Sequence, residues 1–278
     1  MKKYLLFLIC GLVSIVSCNK EDKEAANREL TDDPSKEIVL SVEDDLPLTF
    51  ETKATAVTSM PSSLYWGAAT ASAAKYSSTS GAVSAGKIST GKYQTATATS
   101  YTWYASNISM TVGTNTTVSA SNTTDVICGK SSATTSTTPS ITLGHIFART
   151  GSVTLSLPSG YSQSNVSWQI KSKTGGGTSG TYSITNASWS SQSGFTDFSS
   201  LTGSSDYYLV PGTYTVKVTF TASKGDFVKT YTQSGDITLV AGKINNITAS
   251  SSTDEAQGIT ISVSLTDWAA NPINVNIS

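Results

Sequence analysis

Few side chains in this sequence could carry out catalysis or hold a metal. There is one histidine, His145, and Cys128 is the only cysteine beyond residue 18. A single imidazole excludes sites built from two or more, and a nucleophilic Cys128 would have only His145 as its base. We therefore interpret Cys128 as a buried hydrophobic side chain and His145 as a structural, hydrogen-bonded one. Because no pair of carboxylates stands out either, we expect no catalytic residues, no metal and no cofactor.

The glycine run at 175–180 is the other candidate for chemistry, because it matches the spacing G-x-G-x-x-G. In a dinucleotide site such a loop opens a helix whose N-terminus holds the pyrophosphate. Here the residues that follow, Thr181-Tyr182-Ser183-Ile184, are typical of a β-strand. We therefore predict a hairpin loop rather than a phosphate site.

Cys18 has a different chemical role. Two lysines near the start precede a mostly apolar stretch at 4–16, and the run Ile-Val-Ser-Cys ends at Cys18. The stretch is too short to span a bilayer as a stable anchor. The pattern resembles a bacterial lipoprotein signal, in which cleavage frees the cysteine and its thiol takes a fatty acid such as palmitate. We predict that residues 1–18 are a signal peptide ending at Cys18; the alternative is an ordinary secretory signal with a coincidental cysteine.

Charge divides the remaining chain near residue 53. Residues 19–53 carry 11 acids and 5 bases, a net charge of −6, whereas residues 54–278 carry 8 acids and 11 bases, a net charge of +3. Residues 19–36 are typical of a flexible acidic tether. The net charge of −1 for the whole chain argues against a nucleic-acid partner.

A strand-forming segment lies inside the acidic leader. Ile38, Leu40 and Val42 alternate with Val39 and Ser41, which is the period of a β-strand with one buried face. The simplest interpretation is the first strand of a domain behind a linker.

From residue 54 onward the sequence is patterned as strand after strand. Apolar and polar residues alternate strictly over 214–221 and 259–266, and every second residue over 141–147 is expected to point one way. Pro-Gly or Gly-Asp turn signals separate such runs. The composition favours β structure over helix. We predict an all-β fold of two antiparallel β-sandwiches in tandem, at 37–139 and 140–278, joined by the Ser/Thr-rich stretch that ends near Pro139.

Aromatic side chains suggest an alternative function. Tryptophan or tyrosine rings exposed on the surface could stack on sugars, which would make the chain a monomeric glycan-binding surface lipoprotein. Packing in the core or on a sheet surface is the better interpretation of these rings. The tryptophans are Trp66, Trp103, Trp168, Trp189 and Trp268. A secreted hydrolase is a third class, disfavoured by the scarcity of His and Glu.

Four stretches of the sequence resemble the fimbrillins of Bacteroidetes. Residues 141–155 resemble their central histidine-bearing strand, 208–214 the motif that begins a strand, 237–247 a late hairpin and 263–268 the C-terminal strand. The run Lys-Glu-Asp just after Cys18 resembles the surface-export signal of Bacteroidetes lipoproteins. The resemblance implies two transthyretin-like sandwiches, an outer-membrane lipoprotein at the cell surface, and assembly into type V pili that serve adhesion. Its partners would be other fimbrial subunits, identical or paralogous, and a host or bacterial surface receptor.

Strand exchange between subunits is the assembly mechanism that this resemblance implies. Ile38, Leu40 and Val42 would form the removable strand, and an incoming segment would pair with the edges it leaves. Major fimbrillins are cut after an arginine followed by alanine; here Lys53-Ala54 stands at that place, and cutting at Arg28 would leave the strand attached.

The predicted donor strand is C-terminal. Its inward residues alternate with asparagines over 273–277 and are Ile273, Val275 and Ile277. Alternatively, this segment is a fixed strand of its own sandwich, as would suit a tip subunit.

We predict that a Cys18→Ala substitution abolishes fatty-acid labelling and moves the chain out of the membrane fraction, because several acyl chains on one residue anchor a protein firmly. The measurement is metabolic labelling with a palmitate analogue, followed by fractionation. Labelling that persists in the Cys18→Ala chain would show that the signal is of another type.

Overall fold

The computed structural model describes residues 37–44, 59–93, 99–201, 207–251 and 260–267. These ranges contain eighteen β-strands and no helix, so the predicted all-β fold is confirmed. In chain order the strands are β1 (Glu37–Asp44), β2 (Ser63–Ala69), β3 (Ala74–Ser84), β4 (Lys87–Tyr93), β5 (Thr102–Ser106), β6 (Thr117–Ser121), β7 (Ile127–Lys130), β8 (Ser140–His145), β9 (Ala148–Ser156), β10 (Ser162–Thr174), β11 (Ser179–Ser183), β12 (Ser188–Ser193), β13 (Ser199–Ser200), β14 (Tyr208–Leu209), β15 (Gly212–Lys224), β16 (Phe227–Leu239), β17 (Lys243–Ser250) and β18 (Thr260–Asp267).

The first sheet has seven strands and closes on itself in the order β1-β4-β3-β2-β5-β7-β8. We call it the N-terminal sheet. Most neighbours are antiparallel, but β1 runs parallel to β8. Alternate side chains of each strand point inward, as the period of two requires. The enclosed core includes Leu64, Trp66, Ile88, Trp103 and Ile127, together with residues of β1 and β8.

Two four-stranded sheets pack face to face and form what we call the C-terminal sandwich. Their orders are β13-β10-β15-β16 and β14-β9-β17-β18. The core between them draws on both sheets: Trp168, Val216 and Phe220 come from one, and Leu155 and Ile247 from the other. The alternation over 214–221 is confirmed, because every second side chain of β15 is buried.

A third sheet, in the order β12-β11-β6, connects the two halves of the chain. Its strand β6 comes from the N-terminal half of the chain and pairs with β11 from the C-terminal half. A cluster of buried side chains lies between this sheet and its neighbours and includes Tyr104, Val118, Cys128, Phe147 and Tyr208. We call it the junction cluster.

The chain passes from the N-terminal sheet into the sandwich between His145 and Ala148. β8 pairs with β1 and β7, whereas β9 pairs with β14 and β17. The predicted boundary between 139 and 140 falls before β8, whereas the change of sheet falls after it. The Ser/Thr-rich stretch before β8 is therefore a connection inside the N-terminal sheet.

His145 is buried at the end of β8 and bonded to a second buried side chain. Its Nδ1 lies 3.0 Å from Oδ1 of Asp125, and it shares the inward face of the strand with Ile141 and Leu143. Asn107 fixes the loop that carries Asp125: its Nδ2 donates to the Asp125 carbonyl oxygen at 2.8 Å, and its Oδ1 accepts from the Ile127 N–H at 3.0 Å. The histidine therefore has the structural position that the pattern predicts.

We expect His145→Gln to lower the free energy of unfolding by about 1–3 kcal/mol, because it disturbs a hydrogen bond to a fully buried carboxyl group. Denaturant titration of the wild-type and variant chains measures the change. The double variant with Asp125→Asn serves as the control, since coupled residues give a non-additive loss. Equal stability of the wild-type and His145→Gln chains would contradict a structural role.

Candidate functional site

The candidate site is the slot that β1 occupies between β4 and β8. Val39, Leu40 and Ser41 pair antiparallel with β4, and residues 41–44 pair parallel with β8. β1 is thus a central strand with a neighbour on each edge. Taking it out would break the closure of the N-terminal sheet at this one place.

The side chains of β1 that point inward are core residues. Ile38, Leu40 and Val42 are at most 2% exposed and pack in the same cluster as Ile141 and Leu143 of β8. This is the apolar alternation that the sequence predicts for 38–42. The slot is therefore an apolar trough with room for three side chains at i, i+2 and i+4.

Hydrogen bonds hold both edges of β1. On the β8 side, the N–H groups of Val39 and Ser41 donate to the carbonyl oxygens of Thr137 and Pro139, each at 2.9 Å. On the β4 side, the Val42 N–H donates to the Gly86 carbonyl oxygen at 2.8 Å. These backbone acceptors were not identifiable from the sequence, because every residue carries a carbonyl and pairing alone selects them.

One side chain adds a further bond along the slot. The Thr90 hydroxyl, buried in β4, donates to the Ile38 carbonyl oxygen at 2.5 Å. A strand that replaces β1 would have to offer a carbonyl oxygen at the same place. Thr90 therefore recognises a backbone carbonyl group and places no requirement on the side chains of the strand in the slot.

The other residues that the sequence singles out for assembly and anchoring lie outside the described ranges. Their roles stay predictions. They are Cys18, Arg28, Lys53, Ala54, Ile273, Val275 and Ile277.

Cys128 is buried, as the sequence predicts. Its side chain is buried in the junction cluster, and this burial raises the pKa of the thiol to about 12. Cys128 pairs with Gly144 across the strands, whereas His145 pairs with Ile127. Since neighbours along a strand point to opposite faces, the thiol and the imidazole lie on opposite sides of the sheet and form no catalytic pair.

The glycine run at 175–180 crosses between sheets, so the predicted hairpin is wrong. It joins β10 of the sandwich to β11 of the third sheet. The Tyr214 hydroxyl holds it, accepting from the Gly177 N–H at 2.7 Å and donating to the Val210 carbonyl oxygen at 2.6 Å. A Cβ added at Gly177 would lie 2.6 Å from the Ser193 carbonyl oxygen, so this position is glycine because two backbones meet there.

The tryptophans mostly fill cores. Trp66, Trp103 and Trp168 are buried, and Trp189 is half-buried with its Nε1–H donating to the Ile146 carbonyl oxygen at 3.3 Å. Trp268 lies outside the described ranges. Stacking of a sugar on an exposed indole therefore has no candidate among the four tryptophans described.

In the described part of the chain, no group of three or more His, Cys, Asp or Glu side chains is placed to hold a metal ion. The same ranges contain no helix of the length and apolar character needed to cross a membrane.

Comparison by sequence gives no relative. No family profile matches the chain, and no curated protein matches it.

Comparison by structure gives clear similarity at low identity. A Parabacteroides distasonis protein provisionally described as a cell adhesion protein aligns with a TM-score of 0.55 at 10% identity, covering 87% of this chain and 99% of its own. A fimbrilin from Porphyromonas gingivalis aligns with a TM-score of 0.51 at 9% identity, covering 84% and 98%. A second P. distasonis protein, described in the same way as the first, aligns at 0.50 and 9%, covering 84% and 99%. The chain therefore has a fimbrillin-like fold.

Proposed function

We propose that this chain is a structural subunit of a cell-surface fimbria and that subunits join by exchanging a strand in the β1 slot. The observation that carries the proposal is that β1 is a complete core strand near the start of the fold, held between β4 and β8. The shared fold with a fimbrilin and with proteins described as adhesion proteins supports the same role. This role needs no catalytic group.

Loss of β1 would create a strong binding site. The N-terminal sheet would present two unpaired strand edges, with the carbonyls of Thr137, Pro139 and Gly86 free to accept. An apolar trough lined by Ile141 and Leu143 would be open to water between those edges. An extended segment satisfies both demands at once, since its backbone completes the ladders and its alternate side chains fill the trough.

The donor that fits best is the C-terminal segment of another copy. Ile273, Val275 and Ile277 repeat the i, i+2, i+4 spacing of the three inward residues of β1. The segment follows β18, the last strand described, which pairs along β17. A head-to-tail contact of this kind does not close on itself and therefore yields a filament.

The lipid on Cys18 would act before assembly. Residues 19–36 would tether the precursor to the outer membrane while its own β1 fills the slot and prevents premature pairing. Cleavage at Lys53-Ala54 would separate the lipid and β1 from the rest of the subunit in one step. The fimbria would then carry the subunit away from the membrane, for adhesion to a surface receptor.

Cleavage by a Lys-specific protease should convert the purified precursor from a monomer into a ladder of detergent-resistant oligomers that begin at Ala54. N-terminal sequencing and size-exclusion chromatography measure both changes. Lys53→Ala is the control for the cut, and deletion of 272–278 is the control for the donor; each should leave the chain monomeric. A chain cut at Lys53, with its C-terminus intact, that stays monomeric at high concentration would remove self-polymerisation and favour a tip role.

Leu40→Ala should lower the free energy of unfolding of the uncut precursor by about 2–5 kcal/mol, because it opens a cavity in the slot. Val39→Ala is the matched control on the half-buried side of the same strand, where we expect less than about 1 kcal/mol. Thermal or denaturant unfolding of the precursors gives both values. The stability of the assembled product should not change with Leu40→Ala, since the product no longer contains β1. An equal loss of stability in the assembled product would contradict strand removal.

A further inference from the structure

The outer face of the sheet β13-β10-β15-β16 carries a cluster of lysines far along the chain from the β1 slot. Lys171 and Lys173 point outward from β10, on the face opposite buried Ile170. Lys217 points outward from β15, between buried Val216 and Val218. Lys171 pairs with Thr215, and Gln169 pairs with Lys217, so the lysines occupy adjacent rows of the sheet. We call Lys171, Lys173, Lys217, Thr215 and Asp236 the lysine face.

Two of these lysines are held close together over one aromatic ring. The Nζ atoms of Lys217 and Lys171 lie 4.2 and 4.8 Å from the centroid of the Phe198 ring. The two ammonium groups are therefore at most about 9 Å apart, comparable with the Debye length of about 8–10 Å in physiological salt. Neither lysine forms an ion pair within the described ranges. An anion placed between them would be attracted by both.

The third lysine is already neutralised. Lys173 forms an ion pair with Asp236, and the Thr215 hydroxyl donates to Oδ1 of the same carboxylate at 2.8 Å. These two hydrogen bonds lower the pKa of Asp236, so it is ionised at neutral pH. The five residues of the lysine face thus carry two positive charges in excess, in a chain where only 13% of residues are charged.

The same face continues as a row of paired hydroxyl groups. The hydroxyls of Thr219 and Thr232 lie 3.1 Å apart, and those of Thr221 and Thr230 lie 3.0 Å apart. Each hydroxyl keeps capacity for a further hydrogen bond, since it has one donor and two acceptor positions. β15 and β16 are both 13 residues long, about 40 Å of strand, so the face can accommodate an extended chain.

We propose that the lysine face and its hydroxyl row bind an anionic polysaccharide. An acidic group of the ligand, sulfate or carboxylate, pairs with the ammonium groups of Lys171 and Lys217, which both lie against the Phe198 ring. The sugar hydroxyls bond to the threonine row. The opposite charge selects the acidic group, and the hydroxyl row selects a polyhydroxylated chain over other polyanions. This inference is independent of strand exchange.

The test is binding of the purified full chain to heparin, a sulfated polysaccharide, and to polygalacturonate, a carboxylated one, with neutral dextran as the uncharged comparison. The double variant Lys171→Gln/Lys217→Gln should weaken binding by about two- to thirtyfold, because that is the factor that two exposed ion pairs are together worth. The matched control is Lys224→Gln/Lys229→Gln. It removes the same charge from lysines that also lie over aromatic rings, at 5.0 Å from Tyr161 and Tyr231.

A third variant should move the affinity in the opposite direction. Asp236→Asn removes the carboxylate of the lysine face and releases Lys173, so it should strengthen binding to the acidic polysaccharide that the chain prefers. Binding to either acidic polysaccharide, with these three shifts and weakening in salt, supports the proposal, and the preferred probe identifies the acidic group. Equal losses in the two lysine double variants, equal binding of dextran, or equal binding of a DNA duplex would overturn it.

Discussion

The closure of the N-terminal sheet by β1 is the constraint on which the rest of this half of the molecule depends. β4 and β8 are not neighbours in the sheet, and among the eighteen strands described only β1 pairs with both. Its three inward side chains also complete the apolar core that they face. Backbone pairing and core packing therefore both depend on the eight residues of β1. Backbone hydrogen bonds along its two edges join this strand to the rest of the sheet.

The wall of the slot is continuous with the connection to the sandwich. Along a few residues of chain, Leu143 packs in the slot core, His145 bonds to buried Asp125, Phe147 packs in the junction cluster and Ala148 enters the sandwich core. One stretch of chain thus takes part in three separate packing regions. These contacts would oppose a change in the position of β8 if β1 were removed.

The sequence predicted those elements whose pattern is local. The alternation over 38–42 and in β8 and β15 indicated the buried faces correctly, because a half-buried strand must alternate. β3 has no such local signal, since its run of Ser, Ala and Gly has no alternation and its place is set by pairing with β2 and β4. β18 also alternates, but among the strands described it lies at the edge of its sheet, and Leu265 there is 49% exposed.

Contacts between distant residues left no signal in the sequence. The pair Asp125–His145, the hydroxyl of Tyr214 under the glycine run, and the Phe198 ring beneath two lysines each join elements from different parts of the chain. Composition and spacing describe single elements, whereas these contacts depend on how the elements fold together. For the same reason the candidate slot could be predicted through its apolar strand but not through the backbone acceptors that line it.

The mixed pairing of β1 has a consequence for the polarity of any filament built on it. Because β1 is antiparallel to β4 and parallel to β8, the two walls of the slot run in opposite directions. A strand that enters in either direction meets one parallel and one antiparallel neighbour, and the backbone ladders are of the same two kinds in both cases. Backbone pairing alone therefore cannot choose the orientation. The choice would fall to the side chains, because each must fit its own place in the trough. Side-chain packing, rather than backbone hydrogen bonding, would therefore set the direction of such a filament.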